Sequence, residues 1–148
     1  ELHMPAEGNT PIVDGDLIID GLLKQDFRAG CLLVLGNLLA KHIVTTAQLQ
    51  CAGDLEVSGT LFGNCTNYST DVFGKTTAAT AISAKEHYFC FYGGAAIATI
   101  VDVYGDTPNL DDATHSGTDM LAMDDVYDEE EAARLLKSVG SLLRTAEG

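Results

Sequence analysis

CAGDLEVSG, residues 51–59, reads as a short strand entered through a glycine and an aspartate. Leu55 and Val57 alternate with Asp54, Glu56 and Ser58, the period-two pattern of a strand with one buried face. Gly-Asp by itself suits either a corner or the approach to a reactive carboxylate. Related phrases stand at 13–21 (VDGDLIIDG), 34–42 (VLGNLLAKH) and 72–80 (VFGKTTAAT). Recurrence favours the corner.

Aligned on these phrases, Gly15, Gly36, Gly53, Gly74 and Gly93 fall at intervals of 21, 17, 21 and 19 residues. Alternating pairs follow each glycine: Leu17/Ile19, Leu38/Ala40, Leu55/Val57, Thr76/Ala78 and Ala95/Ile97. A second apolar segment follows in turn: Leu22-Leu23, Ile43-Val44, Leu61-Phe62, Ile82 and Ile100-Val101. A glycine fixed at a strand entrance suits a turn or a close backbone approach. The expected fold is all-β: a short parallel β-helix of about five coils, with apolar positions stacked into one core. At about 4.8 Å per coil the stack is about 20–25 Å long. An antiparallel sandwich also repeats strands, every 8–12 residues or so, but leaves the glycine interval unexplained. TTAATAIS, 76–83, is small and polar, which predicts a thin or half-exposed fourth coil.

The expected organisation is a single domain over 4–148. It comprises a solenoid core 12–104, an acidic loop 105–123 and a C-terminal helical cap 124–144. Residues 4–12 are expected to cap the first coil, and Glu1-Leu2-His3 reads as a leader foreign to the fold or a processed terminus. In 124–144, Asp128 is the expected N-cap and Glu131, three residues on, completes a capping box. Ala132, Leu135, Leu136, Val139, Leu142 and Leu143 form an apolar stripe against the last coil or its flank. Gly140 kinks or divides it.

The chain carries 22 acidic and 8 basic residues, a formal charge of −14. That field repels phosphate backbones and anionic membrane surfaces, so neither nucleic acid nor membrane is the expected partner. No apolar run approaches the roughly 18 residues of a membrane span. No cationic segment leads into an apolar run at the start, so no secretory signal is read. Cys31, Cys51, Cys65 and Cys90 make no CxxC and read as reduced core thiols of a cytoplasmic protein. Stacking one coil apart would pair Cys31 with Cys51 and Cys65 with Cys90.

The phrases VDGDLIIDG, VLGNLLAKH and CAGDLEVSG, with NCTNYSTDVFG at 64–74, resemble a group of bacterial proteins with repeated GDL-type coils. That resemblance spans roughly 12–101. It implies a right-handed parallel β-helix, often ending in an acidic tail and helix. The coils are more distantly similar to bactofilins, which implies self-assembly into polymers, although bactofilin stacks lack a covering acidic helix. In size, charge and lack of catalytic motifs the chain also resembles bacterial immunity proteins, which neutralise a cognate toxin.

Catalytic readings are weak. FGKTT, 73–77, has Ser69 where a phosphate loop needs glycine. His42, His87 and His115 form neither HxH nor HExxH, and no calcium-binding repeat is present. Asp54 and Glu56, two apart on one strand, share a face and are the best candidate carboxylate pair for glycan cleavage or binding. No metal and no cofactor is expected.

Half of the acidic residues, 11 of 22, lie in 102–131, which has no Lys or Arg. The expected function is therefore non-enzymatic binding of a basic protein. Its sharpest version is an immunity protein covering a basic toxin such as a nuclease. The expected contact residues are Asp111, Asp112, Asp119, Asp124, Asp125, Asp128, Glu129, Glu130 and Glu131, with Tyr127 as an aromatic anchor. Self-assembly and glycan binding or cleavage are the alternatives.

Overall fold

The computed structural model describes residues 1–5, 10–110 and 112–145. Two sheets wind along one stack. Five short strands form one sheet: β2 (Ile12–Val13), β4 (Cys31–Val34), β6 (Gln48–Cys51), β8 (Ser69–Val72) and β10 (Tyr88–Phe91). The other runs β1 (Leu2–Met4), β3 (Leu17–Gln25), β5 (Leu38–Thr45), β7 (Leu55–Asn64), β9 (Thr76–Ala84), β11 (Ala95–Asp102) and β12 (His115–Ser116). Neighbours within both sheets pair in parallel. Each coil is one short strand, a glycine corner and one long strand, so the chain is a five-coil parallel β-solenoid.

The alternating pairs stack in register. Leu17, Leu38, Leu55, Thr76 and Ala95 form one column; Ile19, Ala40, Val57, Ala78 and Ile97 form the next. Past these positions the pairing shifts register between Ile19 and Leu22, Ala40 and Ile43, and Val57 and Thr60. Such an irregularity bends a strand. Beyond the bend both faces of the strand are buried. Leu23, Ile43, Leu61, Ala81 and Ile100 line up towards the interior core. Val44, Phe62, Ile82 and Val101 line up on the opposite face.

The glycine corner is a second ladder. Three corner glycines donate their N–H to the glycine carbonyl one coil earlier: Gly36 to Gly15 at 2.8 Å, Gly53 to Gly36 and Gly74 to Gly53 at 2.9 Å. A Cβ on Gly53 would lie 2.5 Å from the Gly36 carbonyl oxygen, so no larger residue fits. Beside it runs a side-chain ladder. Asp16 Oδ1 accepts from Asn37 N–H at 2.7 Å, Asn37 Oδ1 from Asp54 N–H at 2.8 Å, and Asp54 Oδ1 from Lys75 N–H at 2.8 Å. It stops at Lys75, whose side chain has no acceptor.

Several expectations are corrected. The fourth coil is not half exposed: β9 buries Thr76 and Ala78 and everything from Thr80 to Ala84. Small residues suffice there because Phe62 and Phe89 fill the neighbouring space of the two cores. The short interval between Gly36 and Gly53 trims a corner, leaving Thr46-Ala47 between β5 and β6. Leu2–Met4 are not foreign to the fold; they extend the sheet of long strands as β1 on β3. The expected first-coil cap at 4–12 includes 6–9, which lie outside the described residues.

The C-terminal segment departs most. Helix α1 spans Glu129–Ser138, shorter than 124–144. Of the two positions expected for its apolar stripe, the last coil or the flank, it takes the flank: Ala132, Ala133 and Leu136 pack with Phe62, Val44 and Ile82 across successive coils. Gly140, at φ +84°, ends the helix instead of kinking it, with its N–H on the Leu135 carbonyl at 3.1 Å. The chain then returns through an antiparallel bridge between Leu143 and Leu121. The end of the stack is closed by the acidic loop. Leu110 is buried in the interior core with Ala113 packed on it, and β12 pairs with the end of β11.

Candidate functional site

The acidic residues of the C-terminal segment are not one uniform patch. Asp128 Oδ1 caps α1, accepting from Glu130 N–H at 2.9 Å and Glu131 N–H at 3.2 Å. Glu131 does not close a capping box on Asp128. Its two oxygens accept from Asp124 N–H at 2.9 Å and Asp125 N–H at 3.2 Å. Asp125 Oδ1 in turn accepts from Tyr127 N–H at 2.9 Å. These three carboxylates shape the helix entrance.

Glu130 has a different partner. On the face that α1 covers, the column Val44–Phe62–Ile82–Val101 begins at Lys24, only 4% exposed. Lys24 Nζ bonds Asp26 on its own coil and Glu130 Oε1 on α1 at 2.7 Å. Burial works to lower the Lys24 pKa, but the two carboxylates outweigh it and hold the ammonium charged. Asp26 also meets His3 Nε2 at 2.8 Å, which ties β1 into the same cluster. A groove of about 880 Å³ opens here; its lining includes Glu1, Lys24, Asp124, Glu130, Arg134 and Lys137. Its charge is mixed.

Among the described residues, Asp112, Asp119, Asp124 and Glu129 carry no side-chain hydrogen bond or ion pair; the first three are exposed and Glu129 is half-buried. Asp112 stands apart from the helix entrance, at the closed end of the stack beside β10. Asp111 lies outside the described residues. Tyr127 is half-buried and structural: its carbonyl accepts from Asn64 at 2.7 Å, its ring meets Tyr104 edge-on, and Lys85 lies over it at 5.6 Å.

His42, His87 and the cysteines serve the scaffold. His87 is fully buried; Nδ1 lies 3.2 Å from the Cys65 carbonyl and Nε2 2.9 Å from Thr70 Oγ1. Nδ1–H therefore donates to the carbonyl and Nε2 accepts the hydroxyl proton. Burial pushes its pKa down to about 4. His42 accepts from Thr60 N–H on Nδ1 at 3.0 Å and is held neutral by burial and by Lys41. Its ring occupies the space above Gly59 that any Cβ would fill. All four cysteines are free thiols. The expected stacks fail on register: Cys31 pairs with Gln48, while Cys51 pairs with Val34 and Val72. Cys90 pairs with Asp71 on the outer face, and Cys65 lies past the end of β7. Burial raises the thiol pKa of Cys31, Cys51 and Cys90, which keeps them protonated and poorly nucleophilic.

Asp54 belongs to the corner ladder, one residue ahead of β7, so the Asp54/Glu56 pairing on a strand face does not arise. Among the described residues no three His, Cys, Asp or Glu side chains are grouped to hold a metal ion. None of the helices among them is long and apolar enough to cross a membrane.

One surface feature escaped the sequence reading. The residue before each corner glycine points outward, and in the last two coils it is aromatic. Phe73 and Tyr92 stack with centroids 5.1 Å apart and planes 12° from parallel, yet are 57% and 66% exposed. The signal was present as an aromatic in front of Gly74 and Gly93.

No family model, no curated protein and no solved structure matches the chain.

Proposed function

We propose that the chain is a non-enzymatic binding module whose partner is a basic protein. The observation that carries this reading is the charge segregation of 102–131, mounted on a rigid stack. Of its acidic side chains, Asp119, Asp124 and Glu129 have no internal partner among the described residues. Such charges speed encounter and select against acidic competitors, while apolar contacts set lifetime. The sharper version is an immunity protein that works in the cytoplasm and covers the active site of a basic toxin such as a nuclease. The buried, neutral His42 and His87 and the protonated thiols of Cys31, Cys51 and Cys90 give no support to a catalytic reading. The loop that plugs the last coil weighs against end-to-end polymerisation.

The test is affinity capture from the native cell, followed by titration of the purified partner. The variant Asp119→Lys/Asp124→Lys/Glu129→Lys leaves the helix cap and the Lys24 cluster intact, so its fold is expected to survive. The reading requires a one-to-one basic partner whose affinity for the triple variant drops at least about tenfold at low salt. Equal affinity would sink it.

A further inference from the structure

A recess of about 390 Å³ opens at the closed end of the stack, along the last short strand. Phe89, Cys90, Phe91, Tyr92, Asn109 and Asp112 line it, with Gly94 and Ala95. That volume suits a small ligand. Phe73, one coil earlier, backs the Tyr92 ring, so the ring is braced where it borders the recess. Asn109 adopts φ +68°, a left-handed conformation that asparagine tolerates. It brings its amide to 3.6 Å from Cys90 Sγ, at the recess wall. Asp112 is exposed at the rim. Apolar ring faces therefore meet an amide, a carboxylate and a phenol within one concavity.

Three features narrow the ligand. A flat, braced and solvated aromatic ring recognises a flat face of C–H bonds, the pairing that pyranose rings offer. The amide, carboxylate and phenol hydroxyl match the donors and acceptors of vicinal hydroxyls. No lysine or arginine lies among the outward residues of the short strands or in the recess lining, and Asp71 and Asp112 are acidic. An anionic ligand is thus repelled.

We propose that this recess binds a neutral saccharide, with Tyr92 as the stacking platform and Asn109 and Asp112 as hydrogen-bonding groups. A pyranose with equatorial hydroxyls exposes the most complete C–H face, so the favoured class is a β-linked glucan end. This site is separate from the helix entrance and stands whether or not a basic protein docks there.

The experiment titrates cellotetraose into the whole chain by calorimetry and by NMR of the tyrosine rings. The expected dissociation constant is on the order of 1 mM, a weak single-site value. Tyr92→Ala changes an exposed side chain and should leave the fold intact; it is expected to weaken binding about tenfold or more. Asn109→Gly keeps the left-handed backbone and is expected to weaken binding about threefold to tenfold. A uronic-acid tetrasaccharide of the same linkage is expected to bind more weakly than cellotetraose. No cellotetraose binding at about 20 mM, unchanged affinity in Tyr92→Ala, or tighter binding of the acidic sugar would each overturn the proposal.

Discussion

His87 is the residue whose chemistry is most altered by the fold. Its ring is buried between Gly63, Thr70 and the Cys65 carbonyl and is neutral down to about pH 4. The unfolded chain protonates the same ring near the ordinary value of 6.5. Native His87 therefore refuses a proton that the unfolded state accepts between those two values. The stability it permits is complete above about pH 6.5 and falls as pH drops towards 4, by on the order of 3 kcal/mol across that window. Asp26, its pKa lowered by Lys24 and His3 against the opposing pull of burial, adds loss in the same direction at lower pH. NMR titration of the imidazole, with urea midpoints at several pH values, measures both. A His87 ring titrating near 6.5 in the folded protein would contradict this account. The sequence placed His87 ahead of YFCFY but gave no sign of burial, because the ring fits only where Gly63, one coil away, leaves room.

At the level of elements, α1 is a lateral cover. It shields the outward column Val44–Phe62–Ile82–Val101, which the bend in each long strand turns away from the interior. Ending the chain at Met123 would expose that column, a contiguous apolar stripe of the kind that drives association. The expected result is strong binding of a hydrophobic dye and concentration-dependent aggregation, neither of which is expected of the whole chain. A soluble truncated chain with native stability would refute the covering role. The solenoid was legible because its signal is local: a glycine, an acidic residue and two alternating apolar positions recur in register. The cover was half legible. The apolar stripe and the Asp128 cap announce a helix, but its place on the flank is set by pairs such as Lys24–Glu130, separated by 106 residues. Nor does periodicity show the bends, so the doubled apolar pairs Ile43-Val44 and Leu61-Phe62 read as one more core segment when they serve two cores.

At the scale of the whole molecule, the corner that first invites a catalytic reading is scaffold. Asp16, Asn37 and Asp54 hold successive coils together through their side-chain oxygens. What distinguishes this solenoid lies in its departures from the repeat: the plug at Leu110, the flanking helix, the acidic segment and the Phe73–Tyr92 stack. The acidic segment was legible as composition but not as geometry. The sequence marks Asp128 as the helix cap, but not that Glu131 turns to the Asp124 and Asp125 amides while the side chains of Asp119 and Asp124 face solvent.

We propose that the solenoid is a finished scaffold that presents surfaces to partners and not a repeating unit of a polymer. Leu110 plugs the interior of its last coil and β12 pairs with the end of β11, which covers part of the edge that end-to-end stacking uses. Sedimentation equilibrium across a wide range of concentration tests this most directly. One species of 15.6 kDa is expected throughout. A mass that climbs with concentration through an open-ended series would contradict it.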